Sequence, residues 1–284
     1  MIHLRRFYLI FSFLSIYGIG LQNANAELSF GTIISASYDY QSLGDDYADL
    51  STLSLSPNMS AGNWYFAIDI PWQKVDGDIS QNQRPRLDEI CSLLNTGRQL
   101  PPRLSNLRNS ILQYCSTQSL SDGSGLSDIS VVASYGLSHG PSSAWFSSFS
   151  FTYQGDNGKT QKGLGSGTQD GTFEWTLQGD HSYISSSFNL GYNLILGGEY
   201  KDFYDDYAFA SFSLSSPIHK PLIFGASYQF QQSSAEHIDD LSSLDFFGEF
   251  NFSKRYALRV SYLNYLDADF YPDYSVNTAL YISF

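Results

Sequence analysis

Trp64-Tyr65-Phe66-Ala67-Ile68-Asp69-Ile70-Pro71-Trp72-Gln73 decides the fold. Trp64, Phe66, Ile68, Ile70 and Trp72 fall on one face of an extended chain, because side chains alternate with a period of two, while Tyr65, Ala67, Asp69 and Gln73 fall on the other. One face is apolar with an indole at each end; the other is polar. Such a strand has hydrocarbon on one side and water on the other.

The same pattern recurs along the chain. Leu222, Phe224, Ala226, Tyr228 and Phe230 oppose Gly225, Ser227, Gln229 and Gln231; Ile184, Phe188, Leu190, Tyr192 and Leu194 oppose Ser185, Ser187, Asn189 and Asn193. Twelve strands are expected, near 28–41, 47–58, 63–75, 126–137, 144–155, 170–178, 182–196, 205–216, 221–233, 241–252, 255–266 and 274–284. Asp49 to Asn58 and Tyr207 to Ser216 alternate less cleanly and are expected to be bulged or shifted.

Connections alternate in length. Short ones lie near Ala61-Gly62, His139-Gly140-Pro141, Gly179-Asp180, His219-Lys220 and Ser253-Lys254; longer ones span 76–125, 156–169, 197–204, 234–240 and 267–273, with a modest one at 42–46. Tight turns at one rim and loops at the other, with an even strand count, describe an all-β transmembrane antiparallel barrel with short periplasmic turns. After Leu28 no run of 18 apolar residues occurs, so helical spans are excluded. A soluble sandwich or lipocalin-like barrel would carry mixed charge, including Lys, on its solvated face. Here the polar face is mostly Ser, Gly, Asn, Thr and Gln.

The ends agree. Arg5 and Arg6 precede an apolar run from Phe7 to Ile19 and then Ala24-Asn25-Ala26, a secretory signal peptide expected to be cut after Ala26. That leaves one barrel domain over 27–284. At the other end Val276, Thr278, Leu280, Ile282 and Phe284 alternate with Ser275, Asn277, Ala279, Tyr281 and Ser283. This stretch resembles the C-terminal recognition strand of bacterial outer-membrane proteins, which implies that the barrel-assembly machinery reads Leu280, Ile282 and Phe284.

Removing Arg5 and Arg6 with the leader takes 15 basic residues to 13 against 28 acidic ones, a formal charge of −15 rather than −13. Nucleic-acid partners want clustered Lys and Arg, and are excluded. The expected partners are the lipid bilayer of the outer membrane, the assembly machinery and a small-molecule solute. No cofactor is implied.

Alternation places Asp39, Asp69, Asp128, Glu174, Asp245 and Glu249 in the lumen, with Arg259 the clearest basic residue among them. Two readings stay open: an acidic bore that favours cations and neutral polar solutes, or structural pairing inside a narrow, largely filled barrel. Of the 13 mature bases, Arg84, Arg86, Arg98, Arg103 and Arg108 fall in the long 76–125 loop, where Leu104, Leu107, Ile111 and Leu112 recur at helical spacing over 103–115. Cys91 and Cys115 lie in the same loop, and after export a disulfide between them can persist. This tied loop is read either as a plug over the pore mouth or as a solvated cap.

Catalysis finds little support. His139, His181 and His219 fall in the short turns and His237 stands alone in an outer loop, with no Ser-His-Asp cluster or metal-ligand spacing at one level.

Ser124-Gly125-Leu126-Ser127-Asp128 opens the fourth strand; Gly155-Asp156-Asn157-Gly158 and Lys162-Gly163-Leu164-Gly165-Ser166-Gly167-Thr168-Gln169-Asp170 fill the loop between the fifth and sixth. With Ile70-Pro71 before them, these segments resemble the phenol-degradation (MetA-pathway) family of outer-membrane transporters over Trp64 to Leu177. The chain departs from that pattern at Ser127, where Gly is usual, and at Gln154-Gly155, where Pro-Thr-Gly is common. The resemblance implies an outer-membrane channel for small organic, aromatic compounds; the alternatives are a structural or adhesive barrel and a barrel hydrolase. A phosphate-cradling loop would need a helix after the glycines. A strand follows, so a glycine-permitted rim turn is preferred.

Overall fold

The structure is a computed structural model that describes residues 28–43, 46–78, 123–138, 145–158, 164–198, 201, 204–233, 240–266 and 273–284. The signal peptide, Cys91, Cys115, the five arginines from Arg84 to Arg108 and the 103–115 helix lie outside the described residues.

Thirteen strands are described: β1 Leu28–Leu43, β2 Asp46–Ala61, β3 Trp64–Asp78, β4 Gly123–Leu126, β5 Ser130–Ser138, β6 Trp145–Gln154, β7 Gln169–Asp180, β8 Ser185–Gly197, β9 Tyr207–Ser215, β10 Leu222–Gln231, β11 Leu241–Asn251, β12 Tyr256–Leu266 and β13 Tyr274–Ser283. Each pairs antiparallel with its chain neighbour, β4 and β5 both pair with β3, and β1 closes onto β13. The result is a closed barrel of twelve staves, β4 and β5 being one interrupted stave. Closure satisfies the backbone without a free sheet edge, a requirement for any strand structure in hydrocarbon. Phe284 seals the closing pair: its N–H donates to the Thr32 carbonyl at 2.9 Å.

Burial is inverted relative to a soluble protein. Phe149, Phe173, Leu190, Phe224 and Phe246 are exposed on the outer wall, while Asp39, Ser54, Glu174, Asn193, Gln231, Asp245 and Ser261 are buried inside. Aromatic girdles bracket the apolar band. Trp64 packs against Tyr135 at the terminal end, and Tyr262 stacks on Tyr274 at the loop end. Among the described residues no helix is long and apolar enough to cross a membrane, so the crossing belongs to the strands.

The expected irregularities in β2 and β9 do not occur. β2 keeps one unbroken register with β1 from Leu28↔Ala61 to Leu43↔Asp46, and β9 stays in register with β8 and β10. Apolar Leu50 and Phe209 facing inward blur the alternation without touching the backbone ladder, which is what holds a register. The break falls elsewhere. Three residues, Ser127 to Ile129, oppose two, Ile70 and Pro71, between the Trp72↔Leu126 and Asp69↔Ser130 pairs. The Pro71 carbonyl accepts the Ser127 N–H at 2.9 Å. A residue's N–H and C=O point the same way in a strand, so Pro71's missing donor falls on the side where the bulge forms.

Candidate functional site: the barrel lumen

Register fixes what faces inward. Asp39 stands opposite Asn277, Asp245 opposite Ser227, Glu249 opposite both Ile223 and Arg259, and Glu174 opposite Ser150 and Gly191. Asp69, Glu174, Asp245, Glu249, Asp39 and Arg259 therefore share the inner surface, and Asp128 enters it from the bulge. Asp170, which the sequence reading did not include among the lining charges, joins them: it lies four residues from Glu174 on β7 and pairs with inward Gln154. Two-residue periodicity counted back from Glu174 would have found it.

Most of these acids have a polar neighbour on the wall. Gln41 Nε2 donates to Asp39 Oδ2 at 2.7 Å, Ser56 Oγ and Ser54 Oγ both donate to Asp69, Thr168 Oγ1 donates to Asp170 Oδ2 at 3.2 Å, and Asn251 Nδ2 donates to Glu249 Oε1 at 3.1 Å. Arg259, only 1% exposed, lies along β11. Its guanidinium sits 4.0 Å above the Phe247 ring and its Nη2 donates to Asp245 Oδ2 at 3.3 Å. This bridges the lumen wall near mid-barrel and leaves space to the β8–β10 side.

That space is about 620 Å³ counted to its open mouth, and its wall is a field of hydroxyls from Ser185, Ser187, Ser211, Ser213 and Ser227. Above it, toward the loops, lies a second recess of about 470 Å³ among Glu174, Asn189, Phe209, Gln229, Gln231 and Ser243. Serine, asparagine and glutamine both donate and accept, so a solute can exchange water for wall without losing hydrogen bonds.

At the loop end the two sequence segments quoted above meet. Asp128, 8% exposed, accepts the backbone N–H groups of Asn157 at 3.0 Å, Gly158 at 2.7 Å and Ser166 at 2.6 Å, the Ser166 hydroxyl at 2.9 Å and Gln154 Nε2 at 3.2 Å. Five donors converge on one carboxylate. Two of the glycines are there for contact: a Cβ on Gly158 would lie 2.3 Å from the Leu164 carbonyl oxygen and one on Gly165 would lie 2.6 Å from Asp128 Oδ1, while Gly167 has φ +76°. Leu164 is 1% exposed as a result. Asp128 thus faces inward but is occupied as a clamp on the loop, so its contribution as a lining charge is small. The Pro71 bulge is what aims it there.

The closed barrel, the lipid-facing band and the polar lumen find their match among known structures. The chain has the fold of outer-membrane channels. It superposes on the COG4313 outer membrane channel from Pseudomonas putida F1 with a TM-score of 0.62 at 9% identity, covering 93% of this chain and 99% of that one. The KdgM porin gives 0.50 at 9% identity over 89% and 99%, and the NanC porin 0.50 at 8% over 88% and 98%. No family model and no curated relative matches the sequence. Its closed ladder and apolar outer wall make it a membrane-spanning barrel.

One turn constellation invites a hydrolase reading and does not sustain it. Ser185 Oγ donates to Asp180, whose other oxygen lies 3.8 Å from His219 Nδ1. The carboxylate sits between serine and histidine. General-base activation needs the imidazole next to the hydroxyl, so this group serves the turn.

Proposed function

We propose that the chain is a passive or selective diffusion channel for small organic solutes. The observation that carries this reading is the continuous inner surface of Ser, Asn, Gln and Thr in a closed barrel whose outer surface is apolar. A wall of that kind solvates a passing solute. Fold likeness to outer-membrane channels supports the reading.

Inward Asp39, Asp69, Asp170, Glu174, Asp245 and Glu249 outweigh Arg259 among the described residues, which favours cations and neutral solutes over anions. The KdgM porin has a solved structure in complex with disordered oligogalacturonate. That ligand is a polyanion, and the lining here has the wrong sign for it. The resemblance of Trp64 to Leu177 to the phenol-degradation family adds small aromatic compounds as candidate solutes.

Two further assignments belong to the same proposal. Phe284, Ile282 and Leu280 form the strand that the assembly machinery reads; the Cys91–Cys115 loop with its five arginines covers the mouth and meets lumen carboxylates. Liposome swelling and planar-bilayer recording on the folded protein test the channel. Permeation by neutral polar and aromatic solutes, with a reversal potential favouring K⁺ over Cl⁻, is expected; no permeation by any solute would overturn it. Conductance that rises on thiol reduction supports the covering loop, and unchanged conductance counts against it.

A further inference from the structure

The recess above the Arg259 bridge is not a uniform piece of polar wall. Its inward groups are Glu174 on β7, Asn189 on β8, Phe209 and Ser211 on β9, Gln229 and Gln231 on β10, and Leu241 and Ser243 on β11. No Lys, Arg or His lines it. The carboxylate brings acceptor atoms without a cationic partner among the lining residues. Glu174 Oε1 takes only a weak donor, the Thr176 hydroxyl at 3.2 Å.

Two amides sharpen the pattern. Asn189 spends its Nδ2 on Ser211 Oγ at 2.8 Å, which leaves its Oδ1 as a buried acceptor with no donor among the described residues. Gln231 is 3% exposed, and its Oε1 is likewise buried without a donor. A buried acceptor left unmatched costs about 1 to 3 kcal/mol, so such atoms normally have a reason to persist. Here a carboxylate and two orphan carbonyl oxygens share one recess.

Beside these polar groups the recess has an apolar side. Phe209 is held flat against β8 because Gly191 has no Cβ; one placed there would lie 2.1 Å from the ring. Leu241, 7% exposed, completes that side. Acceptors beside a ring call for a donor-rich cation with a hydrocarbon body: an ammonium offers three N–H groups and no acceptor, and an aromatic face attracts it further.

We infer that this recess is a binding subsite for primary organic ammonium ions, with Glu174, Asn189 and Gln231 receiving the NH₃⁺ group and Phe209 and Leu241 receiving the apolar body. The inference deepens the channel reading by naming a solute class, yet binding to the wall can be measured whether or not the pore conducts. The recess selects by donors and charge; an isosteric alcohol offers one donor, and a carboxylate is repelled by Glu174 with no cation in the lining to offset it.

Isothermal titration of the full folded barrel in detergent with 2-phenylethylammonium, 2-phenylethanol and phenylacetate tests it. The ammonium is expected to bind at least about tenfold more tightly than the alcohol, with no binding of the acid. Glu174→Gln is expected to weaken ammonium binding at least tenfold. Gln231→Glu, which adds a carboxylate at an acceptor position, is expected to tighten it, and this gain cannot come from misfolding. Equal affinity for ammonium and alcohol, or a Gln231→Glu barrel that binds no better, overturns the subsite. Bilayer conductance on the same samples reports on the channel separately: a barrel that binds the ammonium but passes no current refutes the pore alone, and one that conducts without preferring the ammonium refutes the subsite alone.

Discussion

Asp128 and Ser166 are bonded twice across 38 residues of chain: the carboxylate takes the Ser166 N–H at 2.6 Å and its hydroxyl at 2.9 Å. With Asn157 and Gly158 bound to the other oxygen, this contact holds the described segments 155–158 and 164–168 against the bulged stave. Asparagine at 128 would keep the volume, lose the charge and turn an NH₂ toward a donor. Hydrogen bonds to a charged group contribute about 1.5 to 3 kcal/mol each, and unmatched donors add to the loss. Asp128→Asn is therefore expected to release the loop while the barrel survives, seen as new protease cleavage near 155–168 in a protein that still migrates as a heat-modifiable folded band. Cleavage at the wild-type rate would refute the clamp.

Gly158→Ala should reproduce that release by a different route. The added methyl meets the Leu164 carbonyl oxygen, and backbone cannot step aside cheaply. Gly62→Ala is the control: nothing lies within 4 Å of its Cβ, and only the left-handed φ of +59° resists, at about 1 to 2 kcal/mol. Protease sensitivity of the 155–168 loop should rise in the first and not in the second. Equal sensitivity in both would mean that the close approach is not what excludes a side chain.

The sequence made the barrel legible because lipid on one side and water on the other write the same two-residue period into each stave. Twelve expected strands and twelve observed staves follow from that single rule. Inward Asp39, Asp69, Glu174, Asp245, Glu249 and Arg259 were readable for the same reason. What the period could not carry is where it fails. The bulge at Ser127 to Ile129 depends on a proline on the preceding stave, far back in sequence, and nothing local to Asp128 announces that its carboxylate will be drawn from the bore into a nest of N–H groups. The unmatched Asn189 and Gln231 oxygens were invisible too, since amide orientation depends on neighbours across strands.

Lipid-facing and lumen-facing neighbours should respond oppositely to charge. Phe212 is exposed on the outer wall near the middle of β9, and Ser213 is the next residue, facing in. Phe212→Arg is expected to cost about 2 to 4 kcal/mol in liposome-embedded unfolding, the penalty for a base near the midplane. Ser213→Arg should cost little and shift ion selectivity toward anions. A stability loss of the same size in both would contradict the inverted wall.

Arg259 gives the sharpest test of how the lumen is held. Its guanidinium lies over Phe247 and bonds Asp245, both on the adjacent β11, and the Arg259 and Asp245 side chains are 2% and 5% exposed. Removing one member of a buried pair costs about 3 to 5 kcal/mol because the other is left charged and desolvated, whereas replacing both with apolar or neutral groups is often nearly neutral. Arg259→Met is thus expected to destabilise by that amount, and Arg259→Met with Asp245→Asn to recover most of it, measured by urea unfolding of the refolded barrel. The rescue separates a charge pair from the ring contact: if the loss came from the missing guanidinium over Phe247, changing Asp245 as well would restore nothing. A wide, fully hydrated bore predicts otherwise, since water would solvate Asp245 and the single variant would lose less than about 1 kcal/mol, the scale of an exposed ion pair. The size of the single-variant loss therefore reports whether the bore is dry at mid-barrel, and so whether solutes pass on the β8–β10 side of the bridge or through its centre.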